Sequence, residues 1–158
     1  NKSILGDVIS SISDFARLSD QSRNITIETS CDENLITHIS SSSLSQILLN
    51  LIMNAVHALN TNGGGKIWVQ GERVASEQGD RVHLTVRDSG PGVPPDIRDD
   101  IFEPFITTKL EGAGTGIGLA LSRQLVTDVG GTIELLDSEQ GACFLVNLPA
   151  FVSEPNAQ

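Results

Sequence analysis

The sequence predicts a two-layer α/β sandwich, an α+β fold. Three observations predict it. An apolar helix with a charge-free polar side spans Ser40 to Asn60. Two alternating segments, Lys66–Val74 and Arg81–Asp88, are joined by the turn Glu77-Gln78-Gly79-Asp80 and keep their apolar residues on one face. A further helix and hairpin follow after residue 116. The 158 residues suffice for one ordinary domain with a real core, and 39% hydrophobic against 19% charged residues marks a globular chain.

In chain order, Leu5, Val8, Ile9, Ile12, Phe15 and Ala16 recur at helical spacing, with Ser3 as the expected cap. This helix starts almost at residue 1, so residues 1–20 are expected to be a linker helix leading from something upstream into a domain that occupies 21–150. Ile25 and Ile27 mark a short strand and Leu35–Ile39 a second. The serines at 40–43 supply the N-cap of the central helix. On that helix Leu44, Ile47, Leu48, Leu51, Ala55, Ala58 and Leu59 share one face, and Gln46, Asn50, Met53, Asn54 and His57 the other. No Asp, Glu, Lys or Arg occurs between Glu33 and Lys66. A polar face made of amides suggests enclosure, either as satisfied core amides or as the wall of a polar pocket. The glycine-rich stretch Thr61–Gly65 ends the helix.

In the second alternating segment Val82, Leu84 and Val86 point inward, and by the same parity so does Asp88. A carboxylate aimed at the core side needs a partner. Before Ser89-Gly90 it reads either as a turn aspartate or as a ligand contact at the mouth of the sandwich. From Ser89 to Gly116, prolines and glycines interrupt regular structure, apart from a helical turn around Asp96–Phe102; such a loop suits a lid or binding loop. Ile117–Val129 reads as a helix with Leu119, Leu121, Leu125 and Val126 apolar. Thr132–Leu136 and Ala142–Leu148 form a last hairpin, and residues after 150 a tail or cut linker. Gly112–Leu119 is a glycine-rich loop running into a helix, which suits phosphate through bare N–H groups and the helix dipole, or serves as a hinge.

A formal charge of −10 and the lack of a basic patch argue against a nucleic-acid partner. No run of about 18 apolar residues is present, so no direct membrane contact is expected. Cys31 and Cys143 stand apart with no metal-ligand spacing, as expected of reduced thiols in a cytoplasmic setting; His38, His57 and His83 show no such spacing either.

Taken together, the Asn50-x-x-x-Asn54 helix, Asp88-x-Gly90-x-Gly92, Phe102-x-Pro104-Phe105 and Gly114-x-Gly116-x-Gly118 occur in that order. The phrases NLIMNAVHAL, RDSGPGV, IFEPFITTK and GTGIGLALS resemble the boxes of the ATP-binding catalytic domain of sensor histidine kinases, in the superfamily of gyrase, heat-shock chaperone and mismatch-repair ATPases. The Phe-x-Pro-Phe-x-Thr-Thr-Lys form is similar to the nitrogen-regulation and dicarboxylate-sensing subgroup. The likeness runs from about Leu5 to Leu148. It implies a Bergerat-type fold: a mixed, mostly antiparallel sheet, helices on one face and a long ATP lid.

The same resemblance implies roles. Asp88 should accept from the adenine amine, with Gly90 and Gly92 letting the backbone approach the base. Asn54 should ligand Mg²⁺, and Asn50 should support the same metal or phosphate. The amides of Gly114, Thr115, Gly116, Ile117, Gly118 and Leu119, together with Thr108, should line the nucleotide's phosphate side. His57 departs from the Lys or Arg that many of these kinases place there, and is either a phosphate contact or a pocket-edge histidine. Lys109 should meet a phosphate or the acceptor. Phe102 and Phe105 should pack the lid on a partner domain. The superfamily's hydrolases carry Glu where this chain has Asn50, and an amide is no general base, so transfer to a protein is favoured over hydrolysis. No histidine here has the His-Glu or His-Asp context of an acceptor. A separate dimerisation and phosphoacceptor domain, and a response regulator beyond it, are the expected partners. The alternatives are a gyrase- or chaperone-type ATPase and a nucleotide-binding regulatory module without transfer.

Overall fold

The computed structural model describes residues 2–103 and 118–151. The elements are β1 (Ser3–Ile4), α1 (Leu5–Arg17), β2 (Ile25–Cys31), β3 (Ile36–Thr37), α2 (Ser41–Asn60), β4 (Gly65–Val74), β5 (Arg81–Asp88), α3 (Gly118–Asp128), β6 (Thr132–Leu136) and β7 (Cys143–Pro149), with 3₁₀ turns at Asp20–Ser22 and Arg98–Asp100. Five strands form one sheet in the order β2-β4-β5-β7-β6. Only β2 and β4 pair in parallel; the other neighbours are antiparallel, so the sheet is mixed and mostly antiparallel. The small strands β1 and β3 pair with each other.

Strand alternation builds the layers. Ile27, Ile67, Val69, Val82, Leu84, Val86, Phe144, Val146 and Leu148 are buried beneath the helices. The opposite face carries polar residues and the chain's single tryptophan, Trp68, whose ring lies 3.9 Å from the Arg87 guanidinium and 5.3 Å from Lys66 Nζ. Lys66 also pairs with Glu28 at 2.6 Å.

The central helix begins where the serines place it: Ser40 Oγ accepts from the Ser43 amide at 3.1 Å, a cap worth about 1 kcal/mol. Gly64 (φ +124°) and the bond from its amide to Leu59 O end it. Its apolar surface is wider than one stripe, because α1 and α3 flank it while the sheet lies below. Ile52 and Val56 are fully buried, and Met53, expected on the polar face, packs against the core instead. The helix is long and apolar enough to cross a membrane by composition, yet its apolar residues are spent inside this domain.

Several expectations are corrected at the edges. Ser3 does not cap α1; its hydroxyl lies 3.0 Å from Thr37 Oγ1 in a buried pair, and no side chain caps that helix. Phe15 is 62% exposed while Ser13 is buried, since α1 turns Leu5, Val8, Ile9, Ser13 and Ala16 toward the sandwich. Leu5, Val8, Ile9 and Ala16 of α1 pack into the same core as α2 and the sheet. The strand expected over Leu35–Ile39 shrinks to Ile36–Thr37, since it has only β1 and a single bridge to Ala150 for pairing. Leu121 of α3 is 45% exposed. Phe151, the last described residue, is anchored: its amide donates to Ile36 O, and its ring meets His38 and Lys2.

Candidate nucleotide site

The inward carboxylate is where strand parity puts it. Asp88 ends β5 opposite Ile67 and is only 3% exposed. Its Oδ1 accepts from the Gly90 amide at 2.8 Å and the Ala142 amide at 3.3 Å. Both bonds fall on one oxygen, so Oδ2 has no protein partner among the described residues. Burial pushes the Asp88 carboxyl above its ordinary range, opposed by the two amide bonds and by Arg87. A buried carboxylate with one oxygen satisfied and the other open is an acceptor waiting for an N–H.

Backbone room around this group is tight. A Cβ on Gly90 would come within 3.0 Å of Asp88 Oδ1. Gly92 (φ +82°) packs on the Gly141 carbonyl. Gly141, itself at φ +74°, was not singled out in the sequence; any side chain there would overlap the Asp88 carbonyl and approach Oδ1 to 2.8 Å. Its only sequence signal is a glycine closing the Ser138–Gly141 turn, which gives no hint that it touches a residue so far back in the chain.

From Asp88 the site runs along α2. Gly90 lies beside Leu59 and Ala58, near the C-terminal end of the helix. Gly118, the first residue of α3, lies beside Asn50. Residues 50 and 58 are about 12 Å apart along a helix axis, with half-buried Asn54 one turn beyond Asn50 between them. The 3₁₀ turn at Asp20–Ser22 borders the His57 end, where His57 Nε2 meets Gln21 Oε1 at 3.1 Å and Asn60 Nδ2 donates to Gln21 O.

Asn50 is tied to α3. Its Nδ2 donates to Gly118 O and to Ser122 Oγ, each at 3.1 Å, and its Oδ1 accepts from Gln46 at 2.9 Å. Gln46 was read only as a member of the amide face, and Ser122 was not singled out. The pairing of residues 72 positions apart leaves no local pattern in a sequence. Leu119 packs partly against the core. Phe102, expected to face a partner domain, turns inward: its ring meets Phe144 edge-on, centroids 6.0 Å apart. Phe105, Thr108, Lys109, Gly114, Thr115, Gly116 and Ile117, and with them most of the expected lid, lie outside the described residues.

The donor set suits an adenine nucleotide: an open acceptor beside the C-terminal end of α2, and neutral amides with the start of α3 about two turns back along that helix. Among the described residues no cluster of three His, Cys, Asp or Glu could hold a metal alone. Amide oxygens such as those of Asn54 and Asn50 fit a hard cation that arrives with phosphate oxygens better than a resident transition metal.

Residues 39–151 match the family described as histidine kinase-, DNA gyrase B- and HSP90-like ATPases. Relatives include the C4-dicarboxylate transport sensor protein DctB of Rhizobium meliloti, 43% identical over 66% of this chain, and the sensory histidine kinase/phosphatase NtrB of Azospirillum brasilense, 44% identical over 68%. The sensor histidine kinase ZraS of Salmonella typhi is 37% identical over 95% of the chain. The chain spans 16%, 29% and 31% of the lengths of these three proteins. Among solved structures, the catalytic domain of histidine kinase ThkA superposes with a TM-score of 0.81 at 30% identity, covering 94% of each chain. Full-length ShkA in complex with AMPPNP gives 0.78 at 29% identity, over 97% of this chain and 31% of that one. The boxes, the mixed sheet with its helices on one face, and the buried carboxylate at the strand end therefore agree, and the chain belongs to the histidine kinase-, DNA gyrase B- and HSP90-like ATPase family, among the catalytic domains of sensor histidine kinases.

Proposed function

We propose that this domain binds Mg²⁺–ATP and passes the γ-phosphoryl to a histidine on a separate dimerisation and acceptor domain, for relay to a response regulator in the cytoplasm. The observation that supports it most is Asp88, whose open Oδ2 accepts a donor that adenine has and guanine lacks at the same position. Bound ATP supplies the transferable phosphoryl group and its leaving group. The chain's own part is to orient and to keep water idle. Asp88 fixes the base. Asn54 offers an amide oxygen to the metal, and the N-terminal end of α3 presents backbone N–H groups to phosphate. Thr108, Lys109 and the amides from Gly114 to Leu119 complete the phosphate side, and Phe105 the docking side, in this reading.

No residue on the amide face of α2 is a carboxylate, and Asn50 donates both its N–H groups to α3. The Asn50 position therefore holds no base for water, which favours transfer over hydrolysis. Likeness to kinases of known type supports the acceptor and regulator as partners.

Calorimetry with ATP and GTP on this chain and on Asp88→Asn tests the base site. ATP binding, GTP exclusion and loss in the variant are expected; equal binding of both nucleotides would overturn the assignment. Phosphorylation of an added acceptor hairpin then tests transfer. Rapid ATP hydrolysis by the chain alone would favour the gyrase-type reading, and tight binding with no transfer the regulatory one.

A further inference from the structure

We infer that Ser122 and Gln46 are positioning residues that set the amide of Asn50, one from within the core and one from the surface. This rests on the nucleotide reading above. Ser122 is fully buried, one turn into α3, and its hydroxyl lies 3.1 Å from Asn50 Nδ2. The second contact of that nitrogen is the carbonyl of Gly118, at 3.1 Å. A carbonyl can only accept, so Gly118 fixes which end of the amide is NH₂, and Ser122 Oγ becomes the acceptor for the other N–H. Both donors of Asn50 are then committed to α3, and Oδ1 is turned away from it.

Gln46 meets that oxygen. It stands one turn earlier on α2, is exposed, and donates through Nε2 to Oδ1 at 2.9 Å. The only side-chain acceptor that Asn50 could offer a cation or its water shell is thereby aimed by a buried partner and covered by an exposed one. Swinging Gln46 away loses a single exposed hydrogen bond. Losing Ser122 leaves one N–H of Asn50 without its partner, and loosens the amide just where α3 and its phosphate-facing N-terminus join α2. The coupling therefore acts on the metal-dependent part of nucleotide binding and spares the base end, near residue 58.

The experiment is ADP titration by calorimetry in Mg²⁺ and in EDTA, on the wild-type chain, Ser122→Ala and Gln46→Ala. Ser122→Ala is expected to weaken Mg²⁺–ADP binding roughly tenfold, with metal-free ADP within about twofold. Gln46→Ala, at an exposed position, is expected to tighten Mg²⁺–ADP about two- to threefold with no change in EDTA. Equal losses in both media for Ser122→Ala would mark a packing residue and overturn the inference, as would no loss at all. Should Ser122→Ala fail to fold, an unchanged Mg²⁺ dependence in Gln46→Ala overturns it instead. A wild-type chain that binds no ADP in either medium removes the nucleotide reading itself, whereas normal wild-type binding with unaltered variants removes only the inference.

Discussion

Asp88 carries a pH dependence whose sign follows from its setting. Burial raises its folded pKa, so folding favours the protonated acid. Stability from this group is full below the ordinary carboxylate pKa and declines as pH rises through the raised value. Ligand binding runs the other way. An adenine amine needs the ionised carboxylate as acceptor, so ATP affinity should climb as pH rises through that same window and then level off. Titrations from the acid side towards neutrality check this; affinity that is flat or falling across the range would show that Asp88 is not the acceptor. Parity along Arg81–Asp88 made this residue legible in the sequence, since every second side chain of the strand is apolar. Gly141 and Ser122 were not legible, because their reasons for being glycine and serine are contacts made with Asp88 and Asn50 on other elements.

The elements show how the sheet is closed off. Both outer strands have an arginine donating to an edge carbonyl: Arg17 to Ile27 O on β2 at 2.6 Å, and Arg98 to Leu135 O on β6 at 3.1 Å. Arg98 also holds Asp137 at 2.9 Å, but that carboxylate is fully exposed, so the ion pair contributes little and the carbonyl bond more. An unpaired edge invites another strand, and a charged group laid on it discourages one. Arg98→Ala should cost about 1 kcal/mol of stability and promote self-association at high concentration, seen by light scattering; a variant that stays monodisperse would sink this role. Element identity and order were readable from periodicity. The facing of α1 was not, because Ser13 and Phe15 sit on opposite flanks of its apolar stripe, and the neighbours α2 and β2 decide which flank goes inside.

For the whole molecule, the net charge of −10 opposes the approach of a polyphosphate. Salt should therefore speed nucleotide association, by roughly two- to threefold between 0.01 and 0.15 M, as screening shortens the reach of the repulsion. Stopped-flow rates test it; a rate that falls with salt would show that local cations dominate the field at the entrance. The sandwich itself was legible because one sheet face is apolar and the other polar. The strand order, with β2 and β4 parallel beside antiparallel pairs, was not, since register and neighbours depend on packing that no window of sequence contains.

Alternation along β5 has one more consequence. Arg87 and Asp88 are consecutive, so one faces the rear of the sheet while the other faces the pocket, and Arg87 is stacked on Trp68. Asp88 is thus one peptide unit from a guanidinium stacked on an indole, and Trp68 fluorescence is expected to change on nucleotide binding; an unchanged spectrum at saturating nucleotide would show that the two faces are uncoupled. The chain's single tryptophan therefore stands as an optical gauge on the rear of the sheet, behind the strand that ends at Asp88.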